Sequence, residues 1–220
     1  MIKISKRLES ISSLVPIKSN VIDIGCDHGL LDIYLYRNNI SKNIIASDIN
    51  KNALNNAFEN LKKFNLDKII ETRLGNGLDT VKENDKIDTI IISGMGTNTV
   101  IDILKKNANK LKKIDSIIIQ SNTKLELLRK EIINLDYKID NELIIDDNKK
   151  TYIIIKFIKG KRKYTKKELY FGPILIKNNS KKFQEYKKLE LKKLNIILKK
   201  LPKNKIIKKY KIKKEIKLYK

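Results

Sequence analysis

Residues 21–35, VIDIGCDHGLLDIYL, contain an apolar run that ends in a glycine turn with acidic residues around it. Gly25 follows the run and a helical pattern begins near Leu30, so the free N–H groups of a helix start would face a ligand at the turn. The dinucleotide fingerprint G-x-G-x-x-G is not met, because Asp27 and Leu30 occupy its second and third glycine positions. Asp27 would repel a pyrophosphate, whereas Asp23 and Asp27 can attract an ammonium group. The turn therefore favours S-adenosylmethionine (SAM), which has no phosphate, over NAD.

Three further segments carry residues that suit the same ligand. Asp48 ends the strand-like run in IIASDIN and can accept hydrogen bonds from both ribose hydroxyls. In LGNGLD, Asn76 can present its amide to the edge of an adenine ring, although turn chemistry alone explains such a loop equally well. The glycines of SGMGT, at 93–97, would let the backbone approach a ligand closely. Because each segment follows a predicted parallel strand, we expect all of them at one edge of a sheet.

Strand and helix patterns alternate through the first 160 residues. The predicted strands are Asn20–Ile24, Asn43–Ser47, Lys68–Arg73, Asp88–Ser93 and Asp115–Gln120. The predicted helices between them are Leu30–Asn38, Lys51–Asn65, Thr99–Lys112 and Thr123–Leu135. Apolar strands joined by helices imply a parallel sheet that is covered on both faces.

The pattern changes after residue 136. Tyr137–Ile145 and Tyr152–Lys159 are strand-like with no helix between them, so they form an antiparallel hairpin or lie apart. Five parallel strands closed by a hairpin are typical of the Rossmann-like α/β fold of class I SAM-dependent methyltransferases. Beyond it we predict a capping box at Thr165 and Glu168, a helix from Ser180 to Leu201, a turn at LPKN and a last helix from Ile206 to Tyr219. The prediction is a catalytic domain at 1–160 and a basic helical hairpin at 161–220.

Charge and composition restrict the class of partner. The net charge is +24, but residues 161–220 hold 23 basic and 4 acidic residues, against 26 and 21 in residues 1–160. This asymmetry favours a polyanion such as nucleic acid over a merely solvated lysine-rich helix or an anionic membrane surface. The chain has no apolar stretch of membrane-spanning length, and its single cysteine, Cys26, permits no intrachain disulfide and no thiol-based metal site. We expect a cytoplasmic protein without membrane or metal partners.

The segments DIGCDHGLL, ASDIN, RLGNGL, SGMGT and QSN, in this order and spacing, resemble the bacterial tRNA (adenine-22 N1)-methyltransferases over nearly the whole chain. The resemblance implies SAM as cofactor, a helical C-terminal extension, and methylation of N1 of an adenine in the D-arm region of tRNA, at position 22. We also expect a monomer whose basic extension binds the tRNA. Four residues depart from the family pattern, namely Leu30, Asn76, Thr97 and Ser121. The cofactor-binding positions that it implies are Asp23, Gly25, Cys26, Asp27, His28, Asp48, Ile49, Asn76, Gly77, Gly94, Met95 and Gly96.

The same resemblance makes Asp27 and His28 the candidate catalytic residues, because the motif lies at the methionine end of the cofactor. Adenine N1 already has an in-plane lone pair, so its alignment with the methyl group can supply most of the catalysis. A carboxylate or neutral imidazole near the exocyclic amine can stabilise the developing positive charge and take a proton. Alternatively, Asp27 caps the next helix and His28 only shapes the pocket.

The target adenine is paired or stacked in folded tRNA, so we expect it to be flipped out before methylation. Two other classes of function stay open at this point. One is a SAM-dependent methyltransferase of another RNA, a protein or a small molecule. The other is a non-catalytic module that binds SAM and RNA.

Overall fold

A computed structural model describes residues 2–202 and 204–219, and within them seven strands form one sheet. The strands are β1 (Asn20–Ile24), β2 (Asn43–Asp48), β3 (Glu71–Leu74), β4 (Thr89–Met95), β5 (Ser116–Ser121), β6 (Tyr137–Asp147) and β7 (Lys150–Lys159). Their order across the sheet is β3-β2-β1-β4-β5-β7-β6. Strands β1 to β5 pair in parallel, and β7 pairs antiparallel with both β5 and β6. The predicted Rossmann-like sheet with five parallel strands and a hairpin is therefore confirmed.

Helices connect the strands and continue beyond the hairpin. They are α1 (Lys6–Ser12), α2 (Leu30–Arg37), α3 (Lys51–Lys63), α4 (Thr97–Lys106), α5 (Leu125–Ile133), α6 (Lys166–Phe171), α7 (Pro173–Asn178), α8 (Lys181–Lys200) and α9 (Ile206–Lys217). The predicted capping box is present at the start of α6, where the Thr165 side chain accepts from the Glu168 N–H and the Glu168 carboxylate accepts from the Thr165 N–H. None of the helices in the described ranges is long and apolar enough to cross a membrane.

The hydrophobic core lies on both faces of the sheet, because successive residues of a strand point to opposite sides. Val21 packs with buried residues of α1, α2 and α3, whereas Ile22 packs with those of α4 and α5. Phe171 and Phe183, which come after the hairpin, are buried in the second of these clusters. The first part of the C-terminal region thus shares its core with the sheet.

A buried ion pair fastens α6 and α7 to the sheet. The Arg129 Nε donates to Glu142 Oε1 at 2.8 Å, and both side chains are fully buried. The same guanidinium donates to the carbonyl oxygens of Leu169 and Tyr170, and Glu142 Oε2 accepts from the Ile174 N–H at 3.0 Å. Gly172 lies between α6 and α7 with φ +96°, and a Cβ there would lie 2.4 to 2.7 Å from the Glu142 carboxylate. Only glycine fits this position without a shift of the pair.

The sequence prediction was wrong for some helix and strand bounds. Helix α1 and helix α7 were not predicted, and the predicted helix Thr99–Lys112 is interrupted: α4 ends at Lys106 and a short 3₁₀ helix covers Lys110–Lys113. The Asn107 side chain ends α4 by donating to the Ile103 carbonyl at 3.2 Å.

Two other predicted segments also need comment. Strand β3 begins at Glu71 and not at residue 68, because the N–H groups of Ile69 and Ile70 bond back to the Leu66 carbonyl in a local turn. The predicted turn at 201–204 contains residue 203, which lies outside the described residues.

Candidate active site

Three residues in the turn that follows β1 have left-handed backbone conformations. Gly25, Asp27 and Gly29 have φ values of +80°, +50° and +65°. The N–H groups of Gly25 and Cys26 both donate to the Ser47 carbonyl, at 2.8 and 3.1 Å. Aspartate tolerates the left-handed region better than most residues, since its short polar side chain can bond locally. The turn is thus fixed against the carboxyl end of β2.

Asp48 joins the turn to the start of α3. Its Oδ1 accepts from the Asn50 N–H at 2.8 Å, and its Oδ2 accepts from the Asp27 N–H at 3.3 Å. The Asp48 carbonyl accepts from the Gly75 N–H at 3.0 Å, which brings the loop after β3 to the same edge. Ile49 follows with 68% of its surface exposed. The Asp48 carboxylate, whose oxygens keep free lone pairs, therefore lies next to the exposed apolar side chain of Ile49.

The loop after β3 contains one exposed and one buried member of the predicted set. Asn76 is exposed, and its side chain makes no hydrogen bond to the described residues. Gly77 is buried with φ +57°, and a Cβ there would lie 2.6 Å from Ile103 Cγ2 of α4. Close packing against α4 accounts for glycine at residue 77, while the Asn76 amide is accessible to a ligand.

The carboxyl end of β4 contains an irregularity at the predicted glycine segment. The register with β5 shifts between Ser93 and Met95, so Gly94 is the extra residue of a bulge, with φ +82°. Met95 then reaches the turn after β1, because a Cβ on Gly25 would lie 2.4 Å from Met95 Cε. Gly96 is the residue that precedes α4. The structure thus brings the predicted segments after β1 and β4 into contact.

Two buried carboxyl groups lie behind the turn. Asp23 on β1 is 4% exposed, and burial together with the nearby Asp48 charge raises its pKa to about 7, while Arg7 acts in the opposite direction. Asp32 on α2 is completely buried, and neither carboxylate oxygen has a hydrogen-bond partner among the described residues. Burial, and next the Asp23 charge, hold the Asp32 pKa well above its usual range. A cationic group in this pocket would relieve the repulsion between the carboxylates.

Cys26 lies beside the same carboxyl groups. Its side chain is 7% exposed, and burial, followed by the charges of Asp32 and Asp23, raises the pKa of the thiol. Cys26 is therefore held as a neutral thiol at physiological pH.

The candidate catalytic pair lies at the rim of the pocket. His28 Nε2 is 3.6 Å from Asp27 Oδ1, and the two side chains are 54% and 69% exposed. The His28 carbonyl accepts from Asn60 Nδ2 at 3.0 Å, which fixes the backbone of the turn to α3. Both side chains are accessible to a substrate that approaches the sheet edge.

Arg7 and Gln120 belong to the site but were not predicted as site residues. The Arg7 guanidinium, on α1, donates to Ser93 Oγ and to Gln120 Oε1, the latter at 3.1 Å. Gln120 Oε1 also accepts from the Gly94 N–H at 3.1 Å, so it supports the bulge directly. Gln120 lies in QSN, one of the segments that carried the family resemblance, and that is the signal that could have found it, whereas Arg7 lies outside those segments.

No group of three or more His, Cys, Asp or Glu side chains suited to a metal ion occurs in residues 2–202 and 204–219. The site offers an acidic pocket, a carboxylate at the end of β2, an exposed amide and glycine-rich backbone. These groups can bind an organic ligand that has a cationic end and a nucleoside end.

Comparison with known proteins gives a consistent result. A family model described as tRNA (adenine(22)-N(1))-methyltransferase matches residues 21–220. The tRNA (adenine(22)-N(1))-methyltransferase of Bacillus subtilis is 29% identical over 161 residues, which is 73% of this chain and 67% of that protein. Two solved structures share the fold over nearly their full length. TrmK of M. capricolum with S-adenosyl-homocysteine has a TM-score of 0.88 at 34% identity, covering 98% of this chain and 96% of that one. Streptococcus pneumoniae Sp1610 with S-adenosyl-L-methionine has a TM-score of 0.91 at 29% identity, covering 99% and 98%.

Proposed function

The chain belongs to the tRNA (adenine(22)-N(1))-methyltransferase family, and from this premise we propose how its residues carry out the reaction. The protein is a SAM-dependent enzyme that methylates N1 of adenine 22 in tRNA. The observation that carries the assignment of roles is the pair of buried carboxyl groups, Asp23 and Asp32, behind the turn after β1, in a protein whose net charge is +24.

The residues present fit a cofactor with a cationic methionine end. When bound, SAM supplies an electrophilic methyl group on a sulfonium centre. Asp23 would receive the ammonium group, and the N–H groups in the first turn of α2 would receive the carboxylate. Gly25 and Gly94 keep this part of the pocket free of side chains, and Met95 and Gly96 line it from β4.

The nucleoside end is held at the carboxyl ends of β2 and β3. Asp48 accepts from the ribose hydroxyls with the lone pairs that the Asn50 and Asp27 N–H groups leave free. Ile49 packs against the adenine ring, which explains an apolar side chain that is otherwise 68% exposed. Asn76 contacts the adenine edge with its amide.

The target adenine enters from the side where Asp27 and His28 are exposed. Its N1 lone pair attacks the methyl carbon, so the ring gains positive charge as the sulfonium loses it. The Asp27 carboxylate stabilises that charge near the exocyclic amine, and the adjacent His28 imidazole can accept a proton from it. The two side chains are close enough, at 3.6 Å, to act as a unit.

The lysine-rich helices beyond residue 160 hold the tRNA through its phosphates. The target adenine must leave its stack, because N1 lies on the Watson–Crick edge. The enzyme acts as a monomer without a metal ion, and its substrate locates it in the cytoplasm. Size-exclusion chromatography with light scattering, at the concentration used for the assay, tests the monomer.

Incubation of the wild type with SAM and unmodified tRNA, followed by nucleoside analysis, tests the reaction. We expect 1-methyladenosine at position 22, and no product from a tRNA in which guanine replaces that adenine. Methylation at another atom or nucleotide would overturn the proposal, as would transfer to a protein or a small molecule instead. A protein that binds SAM but is inert on every tRNA would support a non-catalytic module.

A further inference from the structure

A groove separates the β6–β7 turn from helix α8, and we propose that it binds the RNA strand next to the target adenine. The inference rests on the proposed function and extends it from the target base to the nucleotides beside it. The groove has a volume of about 730 Å³. The lining residues that the proposal uses are Asn122, Lys149, Lys150, Tyr152, Leu189 and Lys193.

The groove is continuous with the active site. Asn122 follows β5, and its Oδ1 accepts from Gln120 Nε2 at 2.8 Å, while Gln120 Oε1 accepts from the Gly94 N–H of the bulge. The Arg7 guanidinium carbon lies 5.7 Å from the centre of the Tyr152 ring, and the same guanidinium donates to Ser93. One end of the groove therefore opens at the sheet edge where the target base must lie.

Hydrogen bonds and an ion pair hold the walls of the groove in place. The Arg7 N–H donates to Asp147 Oδ2 at 3.2 Å, which joins α1 to the β6–β7 turn. Lys182 forms an ion pair with Asp146, which joins α8 to the same turn. The lysines of the turn are thus presented at a fixed position relative to the active site.

The groove carries positive charge from the β6–β7 turn. Lys149 and Lys150 are exposed and form no ion pair within residues 2–202 and 204–219. Lys149 has φ +63° and follows Asn148 at φ +48°, a pair of conformations in which the second residue is usually glycine. This tight turn leaves the Lys149 side chain exposed.

The remaining groups suit nucleotides better than a protein segment. Tyr152 is half-buried beside the lysines and offers a ring face for a base, and Leu189 is 57% exposed on the opposite wall. Glu190 is the one acidic residue among the described residues that line the groove, and it is paired with Lys193 at 2.7 Å. Exposed ammonium groups next to an aromatic ring match phosphates and stacked bases of a single strand.

Steady-state methylation of unmodified tRNA by groove variants tests the proposal. We expect the double variant Lys149→Ala and Lys150→Ala to raise KM for tRNA about tenfold. The slope of log KM against log salt concentration should fall by about 1 to 2, because fewer phosphates are bound. We expect Tyr152→Ala to raise KM about tenfold and Tyr152→Phe to behave as the wild type, because the ring is kept. The affinity for SAM, measured by calorimetry, and kcat at saturating tRNA stay unchanged in each variant.

Lys42→Ala with Lys68→Ala is the matched control, since it removes two exposed lysines before β2 and β3, at the opposite edge of the sheet. If the wild type is active and the groove variants have the same KM for tRNA as this control, the proposed groove would be refuted while the proposed function would stand. A loss of SAM affinity equal to the loss on tRNA would also overturn it, since the residues would then act through the fold. A wild type that does not methylate adenine N1 in tRNA would refute the proposed function itself.

Discussion

The cofactor pocket and the C-terminal helices of this enzyme have opposite electrostatic character. Asp23 and Asp32 are buried behind the turn after β1, and Asp27 and Asp48 lie at that turn, whereas residues 161–220 hold 23 basic and 4 acidic residues. Each region matches one reactant, because the methyl donor is cationic at its reactive end and tRNA is a polyanion. Most of the net charge of +24 therefore lies in residues 161–220, and it gives no information about the carboxyl groups beside the turn after β1.

The two regions are nevertheless parts of one folded unit. Phe171 and Phe183 are buried with the side chains of β4 and β5, and the Arg129–Glu142 pair lies under the start of α7. Removal of residues 161–220 would expose this core, so deletion is a poor way to separate their functions. Substitutions of exposed side chains within each region separate them better.

Gly172→Ala is expected to have the largest effect on stability, because it disturbs the packing that joins the two regions. A Cβ there would press on the buried Glu142 carboxylate in a backbone conformation with φ +96°. We expect the free energy of unfolding to fall by about 2 to 4 kcal/mol in chemical denaturation. Gly160→Ala is the control, since φ is also positive there, at +134°, but the neighbour is the flexible Lys138 side chain. Equal losses in the two variants would show that the contact with Glu142 is unimportant.

Asp48→Ala tests the pocket alone. We expect SAM affinity, measured by calorimetry, to fall about a hundredfold, because two charge-assisted hydrogen bonds to the ribose disappear. Asp48→Asn should lose less, since the amide oxygen can still accept. Asp102→Ala removes an exposed carboxylate of α4 and should bind SAM as the wild type does. Similar losses from Asp48→Ala and Asp102→Ala would contradict the assignment.

Substitution of lysines on α9 tests the basic region alone. Lys208, Lys211 and Lys213 are exposed and form no ion pair within the described residues. We expect their joint replacement by alanine to raise KM for tRNA about tenfold, with a salt slope lower by about 1 for each phosphate that is no longer bound. SAM affinity should not change. A fall in SAM affinity in this variant would show that the two regions are not separable.

The pH dependence of SAM binding is the smallest expected effect. The pKa of Asp23 is about 7 in the cofactor-free protein, above its ordinary value of 3.8, so the carboxyl group is neutral below pH 7 and charged above it. The ammonium group prefers the charged form, and affinity should therefore rise about fivefold from about pH 6 to about pH 7.5. Stability of the cofactor-free protein should change in the opposite direction, falling as pH rises from about 4 to 7, because the folded state binds the extra proton.

Asp23→Asn should abolish the pH dependence of SAM binding and weaken that of stability, to which the raised pKa of the buried Asp32 also contributes, whereas Asp102→Asn should keep both. Calorimetric titrations and thermal unfolding across this pH range supply the two measurements. If the SAM affinity of Asp23→Asn still rises with pH, another group titrates in this range, and Asp32 is the next residue to test.

Much of this arrangement was predictable from the sequence, and the exceptions have physical reasons. The parallel strand order places the residues after β1, β2, β3 and β4 at one edge, so Asp27, Asp48, Asn76 and Gly94 could be grouped from the strand pattern alone. Arg7 could not, because its partners Ser93 and Gln120 are 86 and 113 residues away. Helix α1 has seven residues, too few for a clear 3.6-residue period. The orphaned Asp32 carboxylate could not be recognised either, since it occupies an ordinary helical position in the sequence.

The buried thiol of Cys26 bears on how this enzyme avoids damaging itself. An enzyme that holds an activated methyl group also risks transferring it to its own nucleophiles, and a thiolate is a far better nucleophile than adenine N1. Burial, and next the charges of Asp32 and Asp23, raise the pKa of the Cys26 thiol and so suppress its thiolate. The burial of Cys26 beside the turn thus keeps its sulfur a poor nucleophile toward an activated methyl group.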